Sequence, residues 1–513
     1  MCQFGLSHSI PGLAMPMKEY CGCAQSLSSF CMATLARDAT RKRAASDIVM
    51  QVVVRVLNLG LGVFVTALVV RTLGGAGYGE WSTMFAILTL VAFFANFGME
   101  GVALREAARE PEIEHEWIGA VIMLRLFLLL PVMAACWGAL LLIHHSSQML
   151  IAGGILIVAM PFGGAGAMGL LFQLRVDNRI PMLVLTLRSV LWGAAVLVIN
   201  LNHGGLVPLA IGMVATNTVG TLVQTLVALK VAGRRPHIST KHVRQLVRIA
   251  LPIGISGLLV IAYARIDQII VYSISGSRQA GLYGAVYNVL DQSHFVPISI
   301  LTTLAPVLAA SWPSDPARLR RAVRMIAELL SVASFGGLAF AIVAAEPVVR
   351  LVFGAPYASA APALPVLAGA FVLICYGYLN GNLLLVLGLQ SKLLRISLVA
   401  LVFNLIGNFI LVPLVGFMGA AWMTLATEAI VFVQTSQLIA KTLEIKRPAL
   451  GKLGRTAIAA IVLCGGLGLL RVAGAPLGAL IAAAAIAYPA LLFGLGALSV
   501  ADLRLALRRG ATA

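Results

Sequence analysis

The chain is written in long apolar runs separated by short polar connections, most of them basic. A helix needs ~20 mostly apolar residues to cross a ~30 Å hydrocarbon layer. Runs of that order lie near 48–70, 82–104, 118–143, 149–173, 181–200, 206–229, 249–275, 281–310, 323–345, 363–387, 393–413, 417–440, 456–473 and 476–499. In hydrocarbon there is no water for the backbone to bond, so each run must close its own hydrogen bonds as a helix. No connection is long enough for a folded soluble domain. The pattern predicts an all-α integral membrane protein of about fourteen transmembrane helices. Twelve remain if the last pair is misread, but Arg504, Arg508 and Arg509 after residue 499 argue for that pair.

Only 11% of the 513 residues are charged, against roughly a quarter in a soluble globular protein. The net charge is nonetheless +18. A soluble chain so basic would suggest nucleic acid. Here lysine and arginine recur in short clusters between apolar runs, so the charge reads as membrane topology and no nucleic-acid partner is expected. With the amino terminus inside, most of the basic residues fall in inner segments. The loop 230–248 alone holds Lys230, Arg234, Arg235, Lys241, Arg244 and Arg248. The outer loops keep only Arg71, Arg278, Arg350 and Arg471. Shifting the topology by one helix destroys this asymmetry, so both termini are expected in the cytoplasm.

Four of the seven cysteines precede residue 32. Cys21-Gly22-Cys23 has the look of a metal or redox pair, but no histidine cluster or second CxxC accompanies it. No metal, cofactor or disulfide framework is expected. Residues 1–47 lack a basic start followed by an apolar core, so they read as a disordered cytoplasmic tail rather than a signal peptide. Met32 is an alternative start.

A weak internal repeat is visible. Gly77-Tyr78-Gly79 follows the first run and Leu282-Tyr283-Gly284 follows the seventh. A second echo joins the turn 173–179 to the turn 388–392. Six helices per repeat preserve orientation, so the halves are expected to be parallel repeats about an axis along the membrane normal. The expected divisions are a lobe at 48–229, a second at 249–440, two added helices at 456–499, and a tail at 500–513.

Ionisable residues inside the spans carry the chemistry. They include Arg55, Arg125, Arg188, Arg265, Asp267, Asp291, Glu328 and Glu428. A central arginine facing lipid costs about 2.5–3.5 kcal/mol, so these should face a wet cavity, a partner or the interface. Arg55, Arg125 and Arg188 sit at one depth on the first, third and fifth runs. They form either an anion-binding ring, suited to phosphate by the planar guanidinium fork, or three side chains snorkelling to the inner interface. Arg265 is a further candidate for an anion. Arg265 and Asp267 are two apart on one helix and do not face each other; Asp291 is placed to pair with either. Asp267, Asp291 and Glu428 are the candidates for coupling to a cation. Asn58, Asn288, Asn404 and Asn408 either meet sugar hydroxyls or bond neighbouring helices. Pro252 and Pro297 are expected to kink the seventh and eighth helices. There is no GxxxxGK[ST], HExxH or GxSxG, so a transporter rather than an enzyme is expected.

The run Arg71-Thr-Leu-Gly-Gly-Ala-Gly-Tyr-Gly79 resembles the opening signature of polysaccharide and O-antigen flippases. These belong to the multidrug/oligosaccharidyl-lipid/polysaccharide exporter superfamily. Pro252 through Asp267 to Gly281-Leu-Tyr-Gly284, Leu351-Val-Phe-Gly-Ala-Pro-Tyr357, and Asn404 to Pro413 with Gly416-Phe-Met-Gly-Ala-Ala421 resemble it too. Each motif is degenerate; order and spacing over 48–440 carry the resemblance. It implies two six-helix lobes of the MATE type plus two further helices, a central cavity and alternating access. The implied cargo is an undecaprenyl-diphosphate-linked oligosaccharide, moved across a bacterial inner membrane for surface polysaccharide or lipopolysaccharide assembly. Membrane lipids and other polysaccharide-assembly proteins are the expected partners, and a monomer the expected state. Three other readings stand beside it: a cation-coupled multidrug exporter, a lipid II flippase, and, with least support, a membrane glycosyltransferase or polymerase.

Overall fold

Apolar runs become helices here for the reason given by their solvent, and among the described residues there is no strand. The computed structural model describes residues 57–498, apart from 59, 145, 164–168, 175–178, 233–236, 238 and 445–450. The expected tails at 1–47 and 500–513, with Cys2, Cys21, Cys23 and Cys31, lie outside the described residues, as does Arg55.

The first half runs α1 (60–92), α2 (Met99–Arg109), α3 (Glu114–Ile143), α4 (Ser147–Val158), α5 (Met160–Gly163), α6 (Gly169–Leu174), α7 (Arg179–Leu201) and α8 (Leu206–Ala232). The second half runs α9 (Thr240–Ser293), α10 (Phe295–Ser311), α11 (Pro316–Phe353), α12 (Ala363–Val386), α13 (Gln390–Val415) and α14 (Phe417–Thr442). A last pair follows, α15 (Gly451–Val472) and α16 (Leu477–Gly494). Among the described residues, eleven stretches are long and apolar enough to cross a membrane. Two of them, Gly60–Arg109 and Gly254–Ser311, are too long for one crossing, at 50 and 58 residues. Each turns sharply at a glycine with positive φ: Gly74 at +65° and Gly276 at +83°. Glycine takes that backbone region without the Cβ penalty.

The helices overrun the apolar windows at their polar ends. α9 begins at Thr240 and α11 spans Pro316–Phe353, because a helix continues into the interface where hydropathy has already fallen. The helix runs on through Pro252 with helical backbone; Gly276 is the one non-helical backbone position inside α9. The break in the eighth run is at His294 instead, between α9 and α10. Pro297 accounts for it: its ring clashes with the carbonyl four residues back, at Ser293, where α9 ends.

Several backbone landmarks recur at a spacing that differs from the Tyr-Gly echo, which implied 205 residues. Gly276 − Gly74, Gly281 − Gly79, Ser311 − Arg109 and Pro316 − Glu114 all give 202. The tyrosines at 78 and 283 are therefore not equivalents; Trp81 is the counterpart of Tyr283. The two halves meet just past the bends. A Cβ on Gly79 would lie 1.8 Å from the Ser277 carbonyl oxygen, and one on Gly281 would lie 1.8 Å from that of Gly75. Both helices need glycine because the two backbones touch. The same end of the molecule holds further cross-half bonds, from Arg71 Nη2 to Leu351 O at 2.5 Å and from Tyr357 Oη to Val70 O at 3.4 Å.

Large apolar side chains such as Phe127, Leu142, Leu414, Ile461, Leu469 and Ile486 stand exposed around the bundle. Such a surface suits hydrocarbon and not water. The last pair leans on α11: Ala339 and Ala344 pack with Ala460, Leu463, Leu467 and Leu480. Tyr488 Oη donates to Val332 O at 2.8 Å, and Lys452 approaches Glu328 at 3.6 Å.

Candidate functional site

Just inside the glycine crossing the halves separate around a cavity of about 290 Å³. Its walls come from α1, α7 and α8 on one side and the two arms of α9 on the other. The aromatic part is Tyr78, Trp81, Phe85, Trp192, Tyr283 and Tyr287. Trp81 and Trp192 lie nearly parallel, with centroids 6.2 Å apart and planes 8° apart. The polar part is Arg265, Asp291, Asn288, Gln268 and three hydroxyls, Thr66, Ser82 and Thr89. Arg265 lies roughly 16 Å along the helix from the Gly276 bend at 1.5 Å per residue, close to half-depth in a ~30 Å layer. Its Nη1 is 2.7 Å from Asp291 Oδ2, and both side chains keep a quarter to a third of their surface. The guanidinium also stands 5.8 Å from the centroid of the Tyr287 ring.

Of the two residues with which Asp291 was placed to pair, the structure selects Arg265. Asp267 points elsewhere, as its position two residues along the helix requires. It is 1% exposed and lines neither cavity described here. Asn408 Nδ2 donates to its Oδ1 at 2.8 Å. Thr424 Oγ1 and Tyr283 Oη donate to its Oδ2 at 2.8 and 3.3 Å. Asn408 also donates to Asn404 Oδ1 at 3.2 Å, and Asn404 donates to Thr427 at 3.3 Å. So the i, i+4 asparagines of α13 turn one face toward α9 and α14. Asn408 Oδ1 is buried without a hydrogen-bond partner. The next residue, Gln268, reaches the opposite way, with its Nε2 3.0 Å from Ser82 Oγ and 3.1 Å from Thr83 Oγ1.

A second cavity of about 280 Å³ lies within the second half, among α9, α12, α13 and α14. Glu428 and Asn404 line it, and Ala264 and Tyr287 are shared with the first cavity.

The remaining candidates are held apart from both cavities. Arg125 pairs with Glu100 at 2.5 Å and bonds Asn96 at 3.0 Å. Arg188 bonds Asn217 on α8 and lies in the space that Gly220 leaves for it. Asn58 donates to Thr186 at 3.2 Å. Sequence reading passed over Glu100, although it falls inside an apolar run and is Arg125's partner. It also passed over Trp81, Trp192 and Thr424, and read Tyr283 only as part of a repeat and a motif, not as a site residue. Hydropathy treats the aromatic residues as ordinary lipid-facing or core residues, and nothing local marks the threonine.

The solved structures that match share the whole fold at low identity. A lipid II flippase, MurJ, in an inward closed conformation, matches with a TM-score of 0.69 and 12% identity over 86% of this chain and 98% of that one. An inward-facing multidrug resistance MATE family transporter of the MOP superfamily matches at 0.60 and 14% over 77% and 99%. A MOP superfamily transporter from Pyrococcus furiosus, described by a reversed polarity of its binding pocket, matches at 0.56 and 17% over 79% and 97%. No curated protein sequence matches the chain. The model of the polysaccharide biosynthesis protein family matches residues 44–312, a little over half of the chain. The chain thus shares its fold with a lipid II flippase and with multidrug transporters, has eleven stretches able to cross a membrane among its described residues, and belongs to the polysaccharide biosynthesis protein family.

Proposed function

We propose that the protein is a flippase for an undecaprenyl-diphosphate-linked oligosaccharide, working by alternating access in a bacterial inner membrane. The observation that carries the reading is the Arg265–Asp291 pair inside an aromatic, amide-lined cavity between the two repeats. A diphosphate entering there meets a guanidinium whose fork matches two phosphate oxygens, and Asp291 is displaced from it. Sugar rings lie against the Trp81, Trp192 and Tyr287 faces, with Asn288, Gln268 and the hydroxyls beside their edges. Aromatic walls with a few placed polar groups are the usual make-up of a small-molecule site. The prenyl chain stays in the bilayer.

In this reading the two sharp glycine bends and the interrupted α4–α6 stretch bring the crossings to fourteen. They form lobes at 48–229 and 249–440 with the added pair at 456–499. The basic loops face the cytoplasm, as do both termini. The chain works as a monomer alongside other polysaccharide-assembly proteins. Asp267 is the coupling group. Its hydrogen-bond partners, Asn408, Thr424 and Tyr283, are neutral, so an ionised Asp267 lacks a compensating charge. With Asn408 Oδ1, Asn404 Oδ1 and Thr424 Oγ1 it offers a set of hard oxygen donors to a small cation. The orphaned Asn408 Oδ1 supports such an occupant.

The test is direct. The purified protein is placed in liposomes holding a fluorescent undecaprenyl-diphosphate saccharide, and exchange between leaflets is followed by quenching from outside. Exchange is expected in the wild type and at least tenfold slower in Arg265→Ala. Absence of exchange, with efflux of an organic cation dye instead, would overturn the reading in favour of a drug exporter.

A further inference from the structure

The second cavity holds two polar groups without hydrogen-bond partners: Glu428, one of the three cation candidates but not needed by the cluster at Asp267, and His294. Glu428 is 9% exposed, lines this cavity, and has no hydrogen-bond or ion-pair partner among the described residues. Gly377 leaves the space in front of it open: its absent Cβ would sit 3.9 Å from Glu428 Oε2. His294 lines the same cavity, and its Nε2 is buried with no hydrogen-bond partner. Its ring is fixed edge-on to Tyr378, 5.9 Å between centroids. Three tyrosines, Tyr263, Tyr287 and Tyr378, complete the apolar part of the wall.

A lone carboxylate so deeply placed needs a positive partner or a proton. The lining supplies no lysine or arginine. It supplies instead aromatic faces, which attract an organic ammonium, and His294 Nε2, which in the Nδ1–H tautomer accepts from the ammonium N–H groups. Hydroxyl and amide oxygens of Asn382, Ser397, Asn404, Thr424, Thr427 and Thr435 also line the cavity; what sets a primary ammonium apart is that it finds the rings as well as the anion. We propose that the cavity around Glu428 is a binding site for a protonated primary amine. That chemistry has two sources, an amino group on the sugar of the cargo or a free lipophilic amine. The first rests on the flippase reading above; the second does not. Tyr287 and Ala264 line both cavities, so an amino sugar here adjoins the Arg265 cavity where the diphosphate would sit.

Binding is measured on the purified full chain in detergent, by calorimetry and by the shift in Tm. The probes are glucosamine, N-acetylglucosamine, benzylamine and benzyl alcohol, with sodium chloride at matched concentration. Glucosamine or benzylamine is expected to bind, the uncharged analogues at least tenfold more weakly. Glu428→Gln, which keeps the shape and removes the charge, is expected to lose tenfold or more in affinity. Tyr378→Phe retains binding and Tyr378→Leu weakens it about threefold or more. Glucosamine as the stronger probe assigns the site to the cargo, and benzylamine to a free amine. Equal binding by Glu428→Gln, no binding of either amine to the wild type, or an equal response to sodium chloride overturns the proposal. Leaflet exchange of the lipid-linked saccharide is read separately, so loss of the amine site and loss of the flippase reading are told apart.

Discussion

Gly79 packs on Ser277 exactly four residues before Gly281, and Gly281 packs on Gly75 four residues before Gly79. The two contacts are reciprocal, and each is closed to any Cβ. Gly79→Ala and Gly281→Ala should therefore behave alike. Each forces backbones apart or strains the crossing, at a cost of about 1–3 kcal/mol. Both variants should lower Tm in detergent by similar amounts and reduce export. Gly465→Ala, where nothing lies within 4 Å, is the control and should leave both unchanged. Variants 79 and 281 that differ widely from each other would count against the symmetric seam.

Asp291 competes with any anion for Arg265. Asp291→Asn should then tighten binding of a prenyl diphosphate, and Arg265→Ala should weaken it. Calorimetry with farnesyl diphosphate is the measurement. A Kd lowered about threefold in the first and raised about tenfold in the second, roughly 0.7 and 1.4 kcal/mol, is expected. Weaker binding in both variants would mean that the pair is a structural lock and not a competitor.

Cation occupancy at Asp267 should stabilise the fold by mass action. Wild-type Tm should rise with sodium, lithium or potassium chloride relative to N-methylglucamine chloride at equal ionic strength. Asp267→Asn and Asn408→Ala should flatten that dependence. A wild type indifferent to every small cation leaves Asp267 as a hydrogen-bonded structural carboxylate only.

How much of this was legible beforehand depends on the range of the interaction. Apolar runs and basic loops are local, so the helical membrane architecture and most helix positions follow from them. The Asn404/Asn408 face was legible because four residues fix it on one helix. Asp291 was placed within reach of Arg265, but only packing could choose between Arg265 and Asp267. The ring of Arg55, Arg125 and Arg188 rested on equal depth alone. Depth says nothing of azimuth, and the structure turns Arg125 to Glu100 and Arg188 to Asn217. The repeat was found through its tyrosines, yet its true register lies in the glycines, because close backbone approach fixes glycine where a tyrosine is free to drift.

Gln268 and Tyr283 give a readout of the seam from the cation cluster. Gln268 reaches Ser82 and Thr83 across the halves, while Tyr283 touches Asp267 and also lines the first cavity. Tyr283→Phe keeps the ring and removes the donor to Asp267. It should weaken the cation-dependent rise in Tm at least threefold in apparent affinity while leaving farnesyl diphosphate binding within twofold. Loss of both together would mean that the ring, not the hydroxyl, is what Tyr283 contributes.

Arg125 and Glu100 separate a structural pair from an anion site. Removing Arg125 alone strands a half-buried carboxylate, and removing one member of such a pair is costly, up to 3–5 kcal/mol when fully buried. Arg125→Ala should thus cut surface polysaccharide and lower Tm. The double variant Arg125→Ala with Glu100→Ala decides why. If the arginine serves only to pair with Glu100, the double variant regains most of the lost Tm and export together. If it also meets the cargo, Tm recovers and export does not. The export and Tm of the two singles and the double form a complete cycle, and a coupling near zero would remove the ion pair from the account of helix α2 against helix α3.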